Sequence, residues 1–234
     1  MSSAQFLQIS SKYRTDQNDD PGSCYITMPM KLREGRYKLA YALMPNTFYT
    51  VDATNNLVYL DGVVLEVPTG FYNTDTFPIA FKAVLDSAGG QTYTVTLSNL
   101  TNKLTISAVA DFTLDFTQDH TCYALVGFKR ELVTSVGGSV QCPNMINLSP
   151  IHTINVSIDS VASISQRNLQ GTTFIIPVPA GSLSYINYIS TSGFEQVMEL
   201  HENKRVIRCV LRNDLNEPLV LNGVDFMLVL EQLS

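Results

Sequence analysis

The chain has 234 residues, a formal net charge of −6 and only 15% charged side chains against 45% hydrophobic ones. It is long enough to bury about 70% of the surface that its unfolded form exposes. The 15 Lys and Arg are scattered through an acidic sequence, which excludes a dominant electrostatic grip on nucleic acid and gives no direct evidence for such a partner.

Strand patterns begin at once. Phe6 to Tyr13, Cys24 to Leu32, Arg36 to Met44, Phe48 to Val51, Leu57 to Leu60 and Val63 to Val67 are predicted strands, separated by Asp19-Asp20-Pro21-Gly22, Glu34-Gly35 and Asp61-Gly62. Those breaks carry the residues that turns need. Lys31, Arg33, Arg36 and Lys38 are the densest basic group and read as the solvated ends of two strands flanking Glu34-Gly35.

One helix interrupts this pattern. Phe77, Ala80, Phe81, Val84, Leu85 and Ala88 recur at three- and four-residue steps, which puts them on one face of a helix over 76–88. Thr74 or Asp75 is positioned to cap its start, Pro78 falls in the first turn, and Gly89-Gly90 supplies a stop. Phe77, Phe81 and Leu85 are the expected core of this helix, packed against a sheet. A hairpin follows: Tyr93, Val95 and Leu97 alternate with threonines, Asn99 to Asn102 turns, and Leu104, Ile106 and Ala108 alternate again.

After a Phe112 to Phe116 strand, the stretch 119–150 is less regular and either separates two lobes or crosses one sandwich as a long loop. Further strands are predicted at Ile151 to Ile158, Thr173 to Val178, Leu183 to Ile189, Val197 to Leu200, Arg205 to Arg212, Pro218 to Leu221 and Phe226 to Leu233, with a turn at Pro179-Ala180-Gly181. Many short strands with regular turns describe an all-β protein. The expectation is a jelly-roll-like antiparallel β-sandwich, as one large or two small β lobes, with residues 1–234 forming a single β-rich domain.

Catalytic sets are missing from the sequence. His120, His152 and His201 stand apart, and no HExxH, GxSxG, GxxxxGK[ST] or GxGxxG pattern occurs. Asp111 and Asp115 read as solvent-facing residues of an alternating strand rather than an acid–base pair, and His120 with Cys122 makes no better case. Cys24, Cys122, Cys142 and Cys209 lie far apart without a CxxC, the pattern of reduced, buried thiols. The expected protein is not an enzyme and has no cofactor or metal. No apolar run approaches the ~20 residues of a membrane-spanning helix, and MSSAQFLQISSKYR lacks the order of a secretory signal. The sequons at Asn99, Asn147 and Asn155 therefore read as coincidences.

The order "VPTGFYN", amphipathic helix, "YTVTLSNLTNKLTI", a Phe-rich strand and "ALVGF", together with the ending "PLVLNGVDFMLVLEQL", resembles the jelly-roll penton and minor capsid proteins of polinton, adintovirus and virophage-like viruses of the adenovirus lineage. The resemblance covers roughly Val63 to Phe128 and Arg205 to Leu233. It implies a structural virion protein that self-assembles, as a pentamer or, second, a trimer, and contacts other capsid proteins. It also implies a place in the virion, with assembly in the host cytoplasm or nucleus, and brings no catalytic residues. Scarcity of charge agrees with a surface partly covered by partners. The competing reading is a trimeric fibre head or lectin-like glycan-binding sandwich, for which Tyr185, Tyr188 and Phe71-Tyr72 are the candidate contact aromatics.

Overall fold

The computed structural model describes residues 5–149, 151–159, 161–163, 172–179 and 184–233. The chain starts with β1 (Phe6–Ser10), one 3-10 turn (Ser11–Tyr13), β2 (Ser23–Leu32) and β3 (Gly35–Pro45). It continues through β4 (Leu57–Leu60), β5 (Val63–Glu66), α1 (Thr76–Ser87), β6 (Thr94–Leu97), β7 (Leu104–Ser107), β8 (Thr113–Asp115), β9 (Leu132–Thr134) and β10 (Ser139–Gln141). The remaining strands are β11 (Thr153–Ile158), β12 (Val161–Ser163), β13 (Phe174–Pro177), β14 (Tyr185–Ile189), β15 (Val197–Leu200), β16 (Lys204–Arg212) and β17 (Met227–Gln232). These elements form two compact units, residues 1–48 with 151–234, and residues 49–150.

The first unit is a two-sheet sandwich. One sheet runs β1-β17-β3-β15-β12, with β14 also on β3, and the other runs β13-β11-β16-β2; every pairing is antiparallel. Set aside residues 49–150 and the short β12, and count β14 with β15 as one broken strand. The orders become first–eighth–third–sixth and second–seventh–fourth–fifth, the strand arrangement of a jelly roll. Period-two alternation directs the packing. In β2, Cys24, Ile26 and Met28 are buried while Tyr25 between them is exposed. They join Ile154, Val156, Phe174, Ile176, Ile207 and Leu211 of their own sheet with Ile9, Tyr37, Leu39, Met44, Leu228 and Leu230 of the other in one core.

The chain between β1 and β2 is pinned. Arg14, whose side chain is 11% exposed, pairs with Asp225 at 2.7 Å, and Asp225 also accepts a hydrogen bond from the Ser11 hydroxyl at 2.8 Å. Thr15 N–H donates to Tyr25 O at 2.8 Å, which covers part of the free edge of β2. Gly22 follows a turn held by Asp20; a Cβ there would lie 2.3 Å from Leu219 O, so no larger residue fits without a backbone shift.

The second unit holds the sheets β5-β4-β8-β9 and β10-β7-β6 with α1. Phe77, Phe81 and Leu85 are fully buried in a core that includes Val58, Leu60, Leu104, Ile106, Leu114 and Phe116. Phe77 and Phe81 stack with ring centroids 5.6 Å apart. Helix entry differs from the sequence reading. Neither Thr74 nor Asp75 caps α1 by its side chain; Asn73 Oδ1 accepts from Thr76 N at 2.8 Å and Asp75 N at 3.0 Å. Asp75 already has helical dihedrals, so the capping oxygen comes from further back. At the other end Gly89 takes φ +74, the left-handed conformation that stops a helix at low cost.

Two predicted strands reduce to single bridges: Val51 meets Gly70, and Pro218 meets Arg212. Neither segment contributes a longer ladder. The strands β9, β10 and β12, three residues each, were too short for a periodic signal. The predicted positions Pro150, Ala180, Gly181 and Leu183 lie outside the described residues.

Truncating Phe81 removes a fully buried ring that stacks on Phe77. Phe81→Ala is expected to cost about 3–5 kcal/mol in denaturant unfolding; a loss under about 1 kcal/mol would mean that this face does not pack.

Candidate functional site

The carboxylates singled out in the sequence for acid–base chemistry instead hold turns. Asp111 lies outside β8, and its carboxylate accepts from Gly138 N at 2.6 Å. Asp115 accepts from Thr117 N at 2.8 Å and from the Thr117 hydroxyl; these hydrogen bonds hold its pKa below the ordinary carboxylate value. The two carboxylates thus serve separate turns, and Asp111 is not on the alternating strand expected from sequence. Exposed His120 has φ +59 and presents its carbonyl to Leu57 N at 2.9 Å, while Cys122 is fully buried. The pair forms no dyad. His201 sits in the turn before β16, and His152 meets Asp214 at 3.1 Å. Among the described residues no three His, Cys, Asp or Glu side chains converge as metal ligands.

All four cysteines are buried and unbridged. Cys24 and Cys209 nevertheless lie directly opposite one another in the β2–β16 ladder, a proximity that linear spacing could not show. Their register explains why they stay apart. Leu211 N donates to Gly22 O at 2.7 Å, so Cys24–Cys209, two residues along, is also a hydrogen-bonded pair. At such pairs the Cα atoms are about 5.5 Å apart, and the Cβ atoms lie farther apart than the ~3.8 Å of a disulfide. Burial pushes the thiol pKa up to about 11 at Cys24 and about 12 at Cys122, and raises those of Cys142 and Cys209.

The basic cluster divides between two surfaces. Lys31 and Arg33 border a cleft of about 400 Å³ with Leu7, Leu32, Tyr37 and Asn203. The Tyr37 phenol donates to Arg33 O at 2.8 Å, and burial raises its pKa. Asn203 Oδ1 accepts from Glu34 N at 3.0 Å and so fixes the turn between β2 and β3. Lys38 instead pairs with Glu231 at 3.0 Å, and Arg36 stands opposite Glu199 in the β3–β15 ladder.

Lys38 and Glu231 border the outer face of the larger sheet. Successive cross-strand rows there are Ser10, Met227, Leu43 and Asn187; Gln8, Val229, Tyr41 and Ile189; and Phe6, Glu231, Lys38 and Val197. The two upper rows are apolar at their centre. Ile189 is 70% exposed and Tyr185, opposite Pro45, 54%, whereas Tyr41, Leu43, Met227 and Val229 are half-buried. Tyr41 donates its phenol proton to Asn187 at 2.8 Å.

The four aromatics of the glycan-binding reading have different roles. Tyr185 belongs to this sheet face. Tyr188 packs against the sandwich core, and its hydroxyl accepts from Gln196 at 3.0 Å. In the second unit Phe71 packs edge-on to Tyr49, and Tyr72 packs edge-on to Phe77 while donating to Pro68 O at 2.7 Å.

No protein-family model matches the chain, and no curated protein matches it in sequence. Among solved structures, the crystal structure of the selenomethionine-labelled mavirus penton protein matches with a TM-score of 0.52 at 11% identity, covering 97% of this chain and 99% of that one. A chain of the Sputnik virophage cryo-EM structure matches with a TM-score of 0.47 at 10% identity, covering 99% and 98%. The jelly-roll resemblance read from sequence is therefore present in the fold: this chain is similar along its length to a virophage-type penton protein.

Two outcomes follow for the thiols. Thiol reagents should find essentially none in the native protein and all four after denaturation without reductant. Each raised pKa also carries a stability that is complete below the ordinary thiol value of 9.0 and is lost as pH climbs toward the folded value, about 12 for Cys122. Unfolding free energy should thus fall between about pH 9 and 12, and less steeply in Cys122→Ala.

Proposed function

We propose that this protein is a structural virion component, penton-like or minor, which self-assembles and contacts neighbouring capsid subunits. The observation that carries the reading is the whole-chain correspondence with the mavirus penton protein, including the jelly-roll order of the first unit. A subunit of this kind needs a stiff scaffold and broad contact surfaces and no reaction centre. The polar residues fit that need, because the carboxylates of Asp111, Asp115, Asp214 and Asp225 are engaged in fixing turns and chain ends. The reading places the protein in the virion, formed in the host cytoplasm or nucleus, without catalytic activity or a cofactor.

Closed cyclic symmetry satisfies each contact surface without open-ended growth. A penton-like role calls for a ring of five, with a trimer second. Light scattering coupled to size exclusion at micromolar protein and moderate salt should give a pentameric mass, with subunit contacts burying on the order of 1,200 Å² or more. A protein that stays monomeric on concentration would remove the self-assembly from this reading.

A further inference from the structure

We infer that the outer face of the β1-β17-β3 sheet, continued onto β14, is a contact surface for a second copy of this chain. The inference rests on the self-assembly proposed above and identifies the surface responsible. The first support is the sequence of the strands themselves. Leu39 to Pro45 and Met227 to Leu230 are unbroken apolar runs, and such runs belong to strands covered on both faces, whereas a half-solvated antiparallel sheet alternates apolar with polar. One set of these side chains, Leu39, Ala42, Met44, Leu228 and Leu230, already fills the sandwich core. The other set comprises Tyr41, Leu43, Met227 and Val229, extended by Tyr185 and Ile189 on β14.

The second support is electrostatic and concerns how a like-charged copy could approach. A chain with net charge −6 repels its own copies over most orientations. In the three rows of this face the formal charges are Lys38 and Glu231, and they neutralise each other at 3.0 Å. The central polar groups are likewise satisfied, since Tyr41 is bonded to Asn187. A second copy can therefore approach here without net charge repulsion at the contact, with an apolar centre and a polar rim formed by Gln8, Asn187 and the ion pair.

The test compares full-length wild type with Ile189→Asp and Tyr185→Asp, both at exposed positions, and with Val109→Asp as a control at a 95% exposed residue of the other unit. Circular dichroism and thermal unfolding establish that each variant is folded. On dilution monitored by light scattering, Ile189→Asp or Tyr185→Asp should dissociate at a concentration at least tenfold higher than wild type, while Val109→Asp should match it. If wild type assembles and both folded face variants dissociate with the wild-type midpoint, this face is not the contact, although self-assembly itself stands. A monomeric wild type would overturn both.

Discussion

The sandwich depends on one extra residue in β3. From Tyr41 to Leu43 this strand pairs with β17 in one register, and from Tyr37 to Leu39 in another, so Ala40 is the bulge between them. A strand has period two, and without an inserted residue the side chains that face the core at Tyr37 and Leu39 would place Ala42 and Met44 outside. With it, all four are buried. The bulge also marks the change of neighbour on the opposite edge, from β14 along residues 41–45 to β15 along residues 35–38. There Ala40 O accepts from Ser190 N, and Leu39 N donates to Gln196 O, each at 3.0 Å. One strand thereby holds three partners in phase.

Those three partners all come from beyond residues 49–150, which separate β3 from each strand that it pairs with. Such a topology is tolerable because the entropy of closing a loop grows only with the logarithm of its length, so about a hundred residues add a few kcal/mol. The inserted residues also have their own core, anchored by Phe77, Phe81, Phe112 and Phe116, and thus bring burial of their own. The terminal strands then close the larger unit: β1 pairs with β17 over five residues, and Arg14 with Asp225 ties the following turn to the segment before β17.

How legible this was depended on whether a feature was local. The helix, its buried face and its glycine stop follow from residue spacing within one segment, as does the β6–β7 hairpin with its turn at Asn99 to Asn102. The all-β class followed from repeated alternation. The cap did not: the capping oxygen was Asn73, because the backbone became helical one residue earlier than composition suggested. The phase change at Ala40 is invisible where both faces of a strand are apolar, since no alternation remains to break. Cross-strand adjacency was also hidden; nothing in the spacing of Cys24 and Cys209 indicates that they share a rung. Nor did the separation of Lys31 and Arg33 from Lys38 appear until the turn between β2 and β3 placed the first two at a cleft and the third on a sheet face.

The same bulge connects folding to the proposed assembly. By resetting the phase, it places Leu39, Ala42 and Met44 in the core while Tyr41 and Leu43 stand outside beside Met227 and Val229. An isolated sandwich gains nothing in solubility from that outer set; each such side chain exposed to water forgoes roughly 25 cal/mol per Å² that burial would return. An outer face kept polar, as at the Lys38–Glu231 rung, would have sufficed for a soluble monomer. Apolar residues in the adjoining rows are consistent with a surface that is buried in a second stage, after the chain has folded, and the scarcity of charged side chains extends that argument to the chain as a whole.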